Sequence, residues 1–478
     1  MNLALLTDLY QLTMAYGYWK ARVAQREAVF HLYFRKNPFD GGFAVACGLN
    51  DAIEYLRDFH FEESDVAYLA TLTGNDKKPL FESGFLDYLR EFRFTCDVDA
   101  IPEGTIVFAH EPLMRVQGEV LACQLVETAL LNILNFQTLI ATKAARVCLA
   151  AQGESVLEFG ARRAQGVDGA LSASRAAYIG GVHATSNVLA GKTYGIPVRG
   201  THAHSWVMLF DDELESFKTY AKAMPNNCVF LVDTYSTLEG VRHAVQVGQW
   251  LRPLGHKLAG IRLDSGDLAY LSIEARKILD ESGFPDVPIF ASNDLDENII
   301  ASLKSQGARI AVWGVGTRLV TGGDQSALGG VYKLAAVRDE NGAWQSKIKV
   351  SEQTLKTSIP GIQQVRRFFD GDLAVADAIY DLESALSGDV LIVDPQDPTR
   401  RKTLGENLRS EDLLQPIFRN AECVYDSPSI HDSRDRTAQQ LAQFHEGIKR
   451  FVNPHTYPVG LESALHEQRT ALILAARK

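Results

Sequence analysis

Three things are scarce in this chain of 478 residues: an excess of positive charge, closely spaced cysteines, and long unbroken apolar runs. Lysine and arginine number 48 against 59 aspartates and glutamates, a formal net charge of −11. That excludes a general nucleic-acid or anionic-membrane surface and leaves room only for a local basic pocket. The six cysteines (Cys47, Cys96, Cys123, Cys148, Cys228, Cys423) lie far apart and form no C-x-x-C. They read as buried thiols of a reducing compartment, not as a disulfide frame or a zinc site. The longest apolar region, Val120 to Ala150, is interrupted by Gln124, Glu127, Asn132, Asn135, Gln137 and Lys143. It describes a buried or amphipathic helix and not a membrane span. The opening "MNLALLTDLYQLTMAYGYWK" meets an acid at Asp8, with no basic start or small-residue cleavage site. A cytoplasmic protein is expected. Internal repeats and low-complexity tracts are missing as well.

What is present suits a soluble globular chain: 46% hydrophobic and 22% charged residues, in a length that calls for two or three domains. The first 145 residues mix element types. Helices are expected over Thr7–Trp19, Asn50–Phe59 and Phe85–Phe92, and strands over Val29–Phe34, Ile106–His110 and Leu113–Val116. This is an α+β pattern. From Ser155 the rhythm changes. "VLEFGARR", "PVRGTHAHS", "CVFLVDTYS", "LAGIRLDSGD", "PIFASNDLD" and "RIAVWGVGT" each read as a strand ending in polar residues. Helices are expected after the first five, from Ser172 or Ser174 and over Glu213–Ala223, through Ala244, over Leu268–Asp280 and over Glu297–Ser305. Such β-then-α units indicate an α/β barrel or a doubly wound sheet. After Gly330, "VYKLAAV" and "WQSKIKVS" read as a strand pair around the turn Asp339–Gly342. A polar loop, "DPQDPTRRK", a helix over Thr437–Phe451 and "NPHTYP" follow. The expected limits are therefore 1–145, a barrel at 146–335, and 336–478.

In a parallel barrel the chemistry sits at the carboxyl ends of the strands. Those ends carry Arg162 and Arg163; Thr201, His202 and His204; Asp233 and Thr234; Arg262, Asp264 and Asp267; Asn293, Asp294 and Asp296; Gly314 and Gly316. Singly, the acids there are often helix caps. Together, arginines, acids and glycines suit a ligand with phosphates and ribose hydroxyls, with Mg²⁺ between phosphates. "WGVGTRLVTGGDQSALGG" offers backbone N–H groups to a phosphate but is not a P-loop. If Thr201–Ser205 continues a strand, His202 and His204 share one face. They could fill a core, bind a metal for which no further ligands are evident, or accept a phosphoryl group with Asp233 or Asp264 orienting the imidazole.

"LLTDLYQLTMAYGYW", "FRKNPFDGGFAVACGL", "EFGARRAQGVDGALSASRAAYIGGVHATSNVLAG", "GTHAHSWV", "LDSGDL", "VWGVGTRLVTG" and "NPHTYPV", in this order, make the chain resemble the nicotinate phosphoribosyltransferases nearly end to end. The resemblance implies an irregular α/β barrel with a second α+β domain built from both chain ends, and a homodimer with shared active sites. It implies a ligase-type reaction of NAD biosynthesis. Nicotinate and phosphoribosyl pyrophosphate would give nicotinate mononucleotide and pyrophosphate, coupled to ATP hydrolysis through a phosphohistidine at His204. It further implies Phe159 on one face of the pyridine ring and Tyr10, from the partner subunit, on the other. Arg262 would lie beside the ring, Asp264 near ribose and Mg²⁺, and Asn293 and Asp294 at the ribose hydroxyls. Gly314, Gly316 and Thr317 would form the phosphate turn, and Arg163, Lys333, Lys349 and Lys356 would meet pyrophosphate or ATP.

One departure concerns His183, which stands where the wider group often carries an acid near the base. With Thr185 and Ser186, a histidine suits a carboxylate and so favours nicotinate over nicotinamide. A structural histidine is the alternative. The rival readings are a nicotinamide or quinolinate phosphoribosyltransferase and, in another class, a barrel that binds nucleotide without catalysis.

Overall fold

The computed structural model describes residues 3–353, 356–384 and 386–477. The chain forms two compact units, Met1–Leu139 with Ala327–Lys478, and Ile140–Ser326. The limits expected near 145 and 335 thus fall at 139 and 326. The reason at the second limit is that Gly330–Arg338 pairs antiparallel with Glu27–Phe34, Ala28 opposite Val337, and so belongs with the chain ends.

The unit built from the chain ends is α+β. A seven-stranded sheet runs in the order Trp344–Ser346, Gly330–Arg338, Glu27–Phe34, Met114–Glu119, Asp97–Ala100, Gln415–Arg419, Glu422–Cys423. The expected strand pair around Asp339–Gly342 is present, and the Asp339 carboxylate accepts the Asn341 and Ala343 N–H groups to shape the turn. A second sheet of six strands centres on Leu373–Asp381 between Gln363–Asp370 and Val459–Glu462. Buried at its middle, Arg367 donates to Asp377, to Gln440 and to the Ile106 carbonyl. Near the C-terminus the expected helix Thr437–Phe451 starts earlier, as Ile430–Ala442, because Ser429 and Asp432 cap it reciprocally; a short turn Glu446–Lys449 follows.

The unit Ile140–Ser326 holds six parallel strands in the order Ala184–Thr185, Ser155–Glu158, Val312–Val315, Ile289–Ala291, Gly260–Leu263, Val229–Leu231. Each strand but Ala184–Thr185 neighbours its successor in the chain, and the first, Ser155–Glu158, closes on the last, Val312–Val315. Among the described residues the ring is open between Ala184–Thr185 and Val229–Leu231. Helices follow the strands as the alternation requires. Asp212, Asp267 and Asp296 cap three of them through N–H bonds to their carboxylates. The helix expected from Ser172 or Ser174 begins at Val167, after Gly166 at φ 84°, a conformation that favours glycine.

The expected strand through Thr201–Ser205 does not form. Val198 makes a single bridge to Thr185, and the chain then leaves the sheet and enters a short helix, His204–Met208. The second parallel strand is Ala184–Thr185 instead. The GTHAHS segment therefore lies along the open side of the ring, where a further strand would have closed it.

Candidate active site at the strand ends

Strand ends in the barrel unit converge on two cavities. One, of about 480 Å³, is lined by Phe159, Arg162, Arg163, Arg262, Asp264, Ser292, Asn293, Asp294, Gly314, Gly316 and Thr317. The other, of about 320 Å³, shares Phe159, Arg162, Arg262 and Asp264 and adds Ser186, Thr201, His202 and His204.

Phe159 follows the strand Ser155–Glu158, and its ring lies over Gly314. A Cβ on Gly314 would come within 2.7 Å of that ring. The glycine is therefore required by the aromatic, and it lines the cavity as well. Gly316 and Thr317 do face the cavity. The loop after Phe159 is tied by Glu158, a fully buried carboxylate. It accepts from the Gly160 N–H, from Ser174 Oγ at 2.8 Å and from Thr185 Oγ1 at 2.5 Å. Sequence reasoning passed over Glu158, since one acid in a strand carries no pattern. A buried carboxylate needs such donors, and they fix the place from which Phe159 projects.

Arg262 connects the two cavities. It donates to Ser292 Oγ at 2.7 Å, to Thr201 Oγ1 at 2.8 Å and to Asp264 Oδ1 at 2.8 Å, and its guanidinium carbon lies 5.7 Å from the Phe159 ring centroid. Burial alone would raise the Asp264 carboxyl. The Ser292 hydroxyl and the Arg262 guanidinium outweigh it and hold the group below its ordinary value. Asp233 stands behind Asp264 and lines neither cavity. Its Oδ2 accepts the Asp264 N–H at 2.9 Å and the Ser265 hydroxyl at 2.5 Å, and its Oδ1 has no hydrogen-bond partner among the described residues. Asn293 adopts φ 129°, uncommon for a residue with a Cβ, and accepts the Asp294 N–H; Arg318 pairs with Asp294 at 3.4 Å. Backbone strain of this kind gathers at functional sites.

The two histidines, expected on one face, have opposite surroundings. His202 is buried among Phe217, Tyr220 and Phe230, and its Nε2 accepts the Leu231 N–H at 3.3 Å. Burial, with Arg262 and His204 nearby, pushes it down to about 4, against the Ala203 carbonyl. Its ring serves the sheet edge where a neighbouring strand would supply a carbonyl. His204 is part-exposed at the first position of the short helix. Its Nδ1 lies 3.1 Å from the Thr234 hydroxyl and its Nε2 3.8 Å from Asp264 Oδ2.

Three family models match the chain: the N-terminal domain of nicotinate phosphoribosyltransferase over residues 5–135, the nicotinate phosphoribosyltransferase family over 155–367, and the C-terminal domain over 362–469. A nicotinate phosphoribosyltransferase of Bacillus subtilis is 45% identical over 470 residues, covering 96% of this chain and 93% of that protein. The chain belongs to the nicotinate phosphoribosyltransferase family. The crystal structure of human nicotinic acid phosphoribosyltransferase superposes with a TM-score of 0.84 at 32% identity, over 98% of this chain and 99% of that one. That likeness confirms the irregular α/β architecture with its second, sheet-rich domain. A nicotinate-nucleotide pyrophosphorylase from Pyrococcus furiosus shares the fold, with a TM-score of 0.70 at 22% identity.

Not every residue expected of a nicotinate phosphoribosyltransferase family member joins the cavities. His183 sits at the amino end of its strand, where its Nδ1 accepts the Val156 N–H at 3.2 Å. Thr185 is buried, with its hydroxyl on Glu158. Ser186 is the residue of that segment that lines a cavity. Tyr10, Lys333, Lys349 and Lys356 belong to the other unit. There the Tyr10 hydroxyl donates to Glu127 at 3.2 Å. Burial lowers Lys333, opposed by Glu127 and reinforced by Arg35 and Lys349, so these side chains share a neighbourhood. Lys356 is exposed.

Proposed function

We propose that the chain joins nicotinate to phosphoribosyl pyrophosphate, giving nicotinate mononucleotide and pyrophosphate, with ATP hydrolysis coupled through phosphorylation of His204. One observation carries the reading: His204 and Asp264 meet at 3.8 Å in the cavity that also holds Phe159 and Arg262. That puts a phosphoryl acceptor beside the groups suited to base and ribose. The sequence of relatives across the whole length supports the substrates.

Phe159 offers a flat apolar face to the pyridine ring, and Arg262, held on three sides, sets a positive edge beside it. As the bond from ribose C1 to pyrophosphate breaks, the ring nitrogen forms the new bond and pyrophosphate leaves with both electrons. Positive charge developing on the sugar is met by Asp264, which is ionised because Ser292 and Arg262 hold it so. Arg163, Gly316 and Thr317 face the leaving group and the 5-phosphate, and Asn293 and Asp294 the ribose hydroxyls. Asp264 and the unpartnered Oδ1 of Asp233 are hard oxygen donors that fit Mg²⁺. Among the described residues no three metal-ligating side chains cluster; phosphate oxygens and water would complete the shell of such an ion. When bound, Mg²⁺ neutralises phosphate charge. For His204, the Thr234 hydroxyl at one ring nitrogen and Asp264 facing the other set the orientation of the imidazole. The gathering of Tyr10, Lys333 and Lys349 on the chain-end unit supports a homodimer in which each copy completes its partner's site. We place the reaction in cytoplasmic NAD biosynthesis; among the described residues no helix is long and apolar enough to cross a membrane.

The test follows nicotinate mononucleotide from labelled nicotinate and phosphoribosyl pyrophosphate, with and without ATP, in wild type and His204→Ala, with nicotinamide as the competing base. Product raised by ATP only when His204 is present is expected. Equal stimulation in the variant removes the phosphohistidine and leaves the transferase. No product from any pyridine base removes the reading altogether.

A further inference from the structure

Three stretches rich in proline and charged or polar residues have no task in the barrel chemistry: "FRKNPFDGG", "DPQDPTRRK" and "NPHTYPV". They meet in the chain-end unit. A cavity of about 760 Å³, larger than either barrel cavity, is lined by Asn37 from the first, Asp394 to Gln396 and Thr399 to Lys402 from the second and His455 to Val459 from the third, together with Phe108 to His110. The walls are built. The Asn37 side chain accepts the Ala109 N–H at 2.9 Å. His110 is held at φ 75°, with its ring 2.8 Å from Gln396.

The charge of this cavity runs against that of the protein. Its lining has three cations, Arg400, Arg401 and Lys402, and one carboxylate, Asp394. That carboxylate is taken up by the N–H groups of Gln396 and Asp397. Lys402 donates to the Val375 carbonyl. The two arginines are less committed: Arg401 donates through Nε to the Pro398 carbonyl, and Arg400 lies 3.6 Å from Asp397 through the same atom. Their terminal nitrogens have no partner among the described residues. Beneath the loop lies Arg469, only 6% exposed, which donates to the carbonyls of Ser358 and Pro395 and pairs with no carboxylate among the described residues. A buried guanidinium without a counter-ion is costly, and the positive field it adds is felt by His110, which burial first and then Arg469 hold at about 4. Ile392, Pro458 and Val459 give the same cavity an apolar wall.

We propose that this cavity is a second, non-catalytic binding site for a phosphate-bearing metabolite, with the phosphate on Arg400 and Arg401 and the organic part against Ile392, Pro458 and Val459. Guanidinium groups pair with phosphate by two parallel N–H bonds. A volume of this size accommodates a sugar phosphate or a mononucleotide. The site stands whether or not His204 is phosphorylated.

Hydrogen exchange of the full chain, read by mass spectrometry, locates binding. The probes are inorganic phosphate, ribose 5-phosphate and AMP, each to millimolar concentration. Residues 394–402 and 455–460 become protected in the wild type. In the double variant R400E/R401E the half-saturating concentration rises at least about tenfold. Both positions are exposed, so the variant melts with the wild type. Peptides covering 199–208 report the barrel site separately. Stronger protection by the two esters assigns the apolar wall to the organic part; equal protection by all three assigns recognition to the phosphate group alone. No protection of 394–402 by any probe, or undiminished protection in the variant, overturns the proposal.

Discussion

Replacing Gly314 by alanine tests how the ring of Phe159 is placed. The added Cβ would lie 2.7 and 2.8 Å from two carbons of that ring. Ordinary carbon contacts are ~3.5–4.0 Å, so the ring must retreat by roughly 0.8 Å. Gly314 lies inside the strand Val312–Val315, paired with Leu157, so its own backbone tolerates alanine and cannot absorb the shift. Overpacking of this size costs about 1–3 kcal/mol. Part of it falls on the fold, about 2–4 °C of melting temperature per kcal/mol for a unit of this size. The rest falls on the proposed base pocket. At about 1.4 kcal/mol per tenfold, the KM for nicotinate rises by about a few-fold to tenfold if half of the cost falls there. The assay is steady-state formation of nicotinate mononucleotide at saturating phosphoribosyl pyrophosphate, alongside thermal melting. A cycle with Phe159→Leu isolates the contact, because the smaller side chain leaves room for the methyl group. The KM penalty of Gly314→Ala is then largely absent in the Phe159→Leu background. Full additivity of the two substitutions, or an unchanged KM in Gly314→Ala, refutes the reasoning.

Further predictions concern the histidines and the buried charges. His202→Leu strands the Leu231 N–H in a buried setting and costs about 1–3 kcal/mol in melting experiments, whereas His202→Gln keeps an acceptor and recovers most of it. His110 and His202, both held at about 4 by burial against an ordinary value of 6.5, stay neutral in the fold while the unfolded chain takes up protons. Stability therefore falls as pH drops from about 6.5 toward 4, and His202→Gln flattens that slope in urea titrations at pH 7 and pH 5; an unchanged slope assigns the loss elsewhere. Arg367→Met leaves Asp377 buried and uncompensated, destabilising the chain-end unit by about 3–5 kcal/mol. The double change Arg367→Met/Asp377→Leu restores part of the melting temperature, and no recovery contradicts the pairing argument.

The alternation of strands and helices from Ser155 to Val320 was legible because each turn carries its own signals. Glu213–Ala223 and Glu297–Ser305 begin and end where their acid caps and apolar spacing place them. The cavity-lining set, from Phe159 to Thr317, was legible for the same reason, since residues after parallel strands converge at one end. One misreading, and one choice the sequence left open, have physical explanations. "PVRGTHAHS" alternates like a strand, yet a strand needs a partner on its outer side, and His202 meets that need with a side chain in place of a backbone carbonyl. His183 lies next to the cavity segment in sequence but at the opposite end of a two-residue strand, so its ring serves the Val156 N–H. Glu158 carries no pattern at all; its importance comes from burial and from three donors that are distant in sequence or carried by the backbone. The division of the chain was blurred because Gly330–Arg338 follows the barrel in sequence while pairing with Glu27–Phe34, a long-range choice that no local signal records.

The opening in the ring of strands has a mechanical consequence. A residue at the end of a laddered strand can shift only by dragging its neighbours or breaking their bonds. The stretch from Gly200 to Ala203 is moored instead by the His202 ring, the Thr201 hydroxyl and little else. His204 rides at the end of that tether, with Thr234 from one strand and Asp264 from the next as its stops. A change of charge on its imidazole can then be taken up as displacement along the seam, at the cost of a few side-chain bonds, while the rest of the barrel wall stays still.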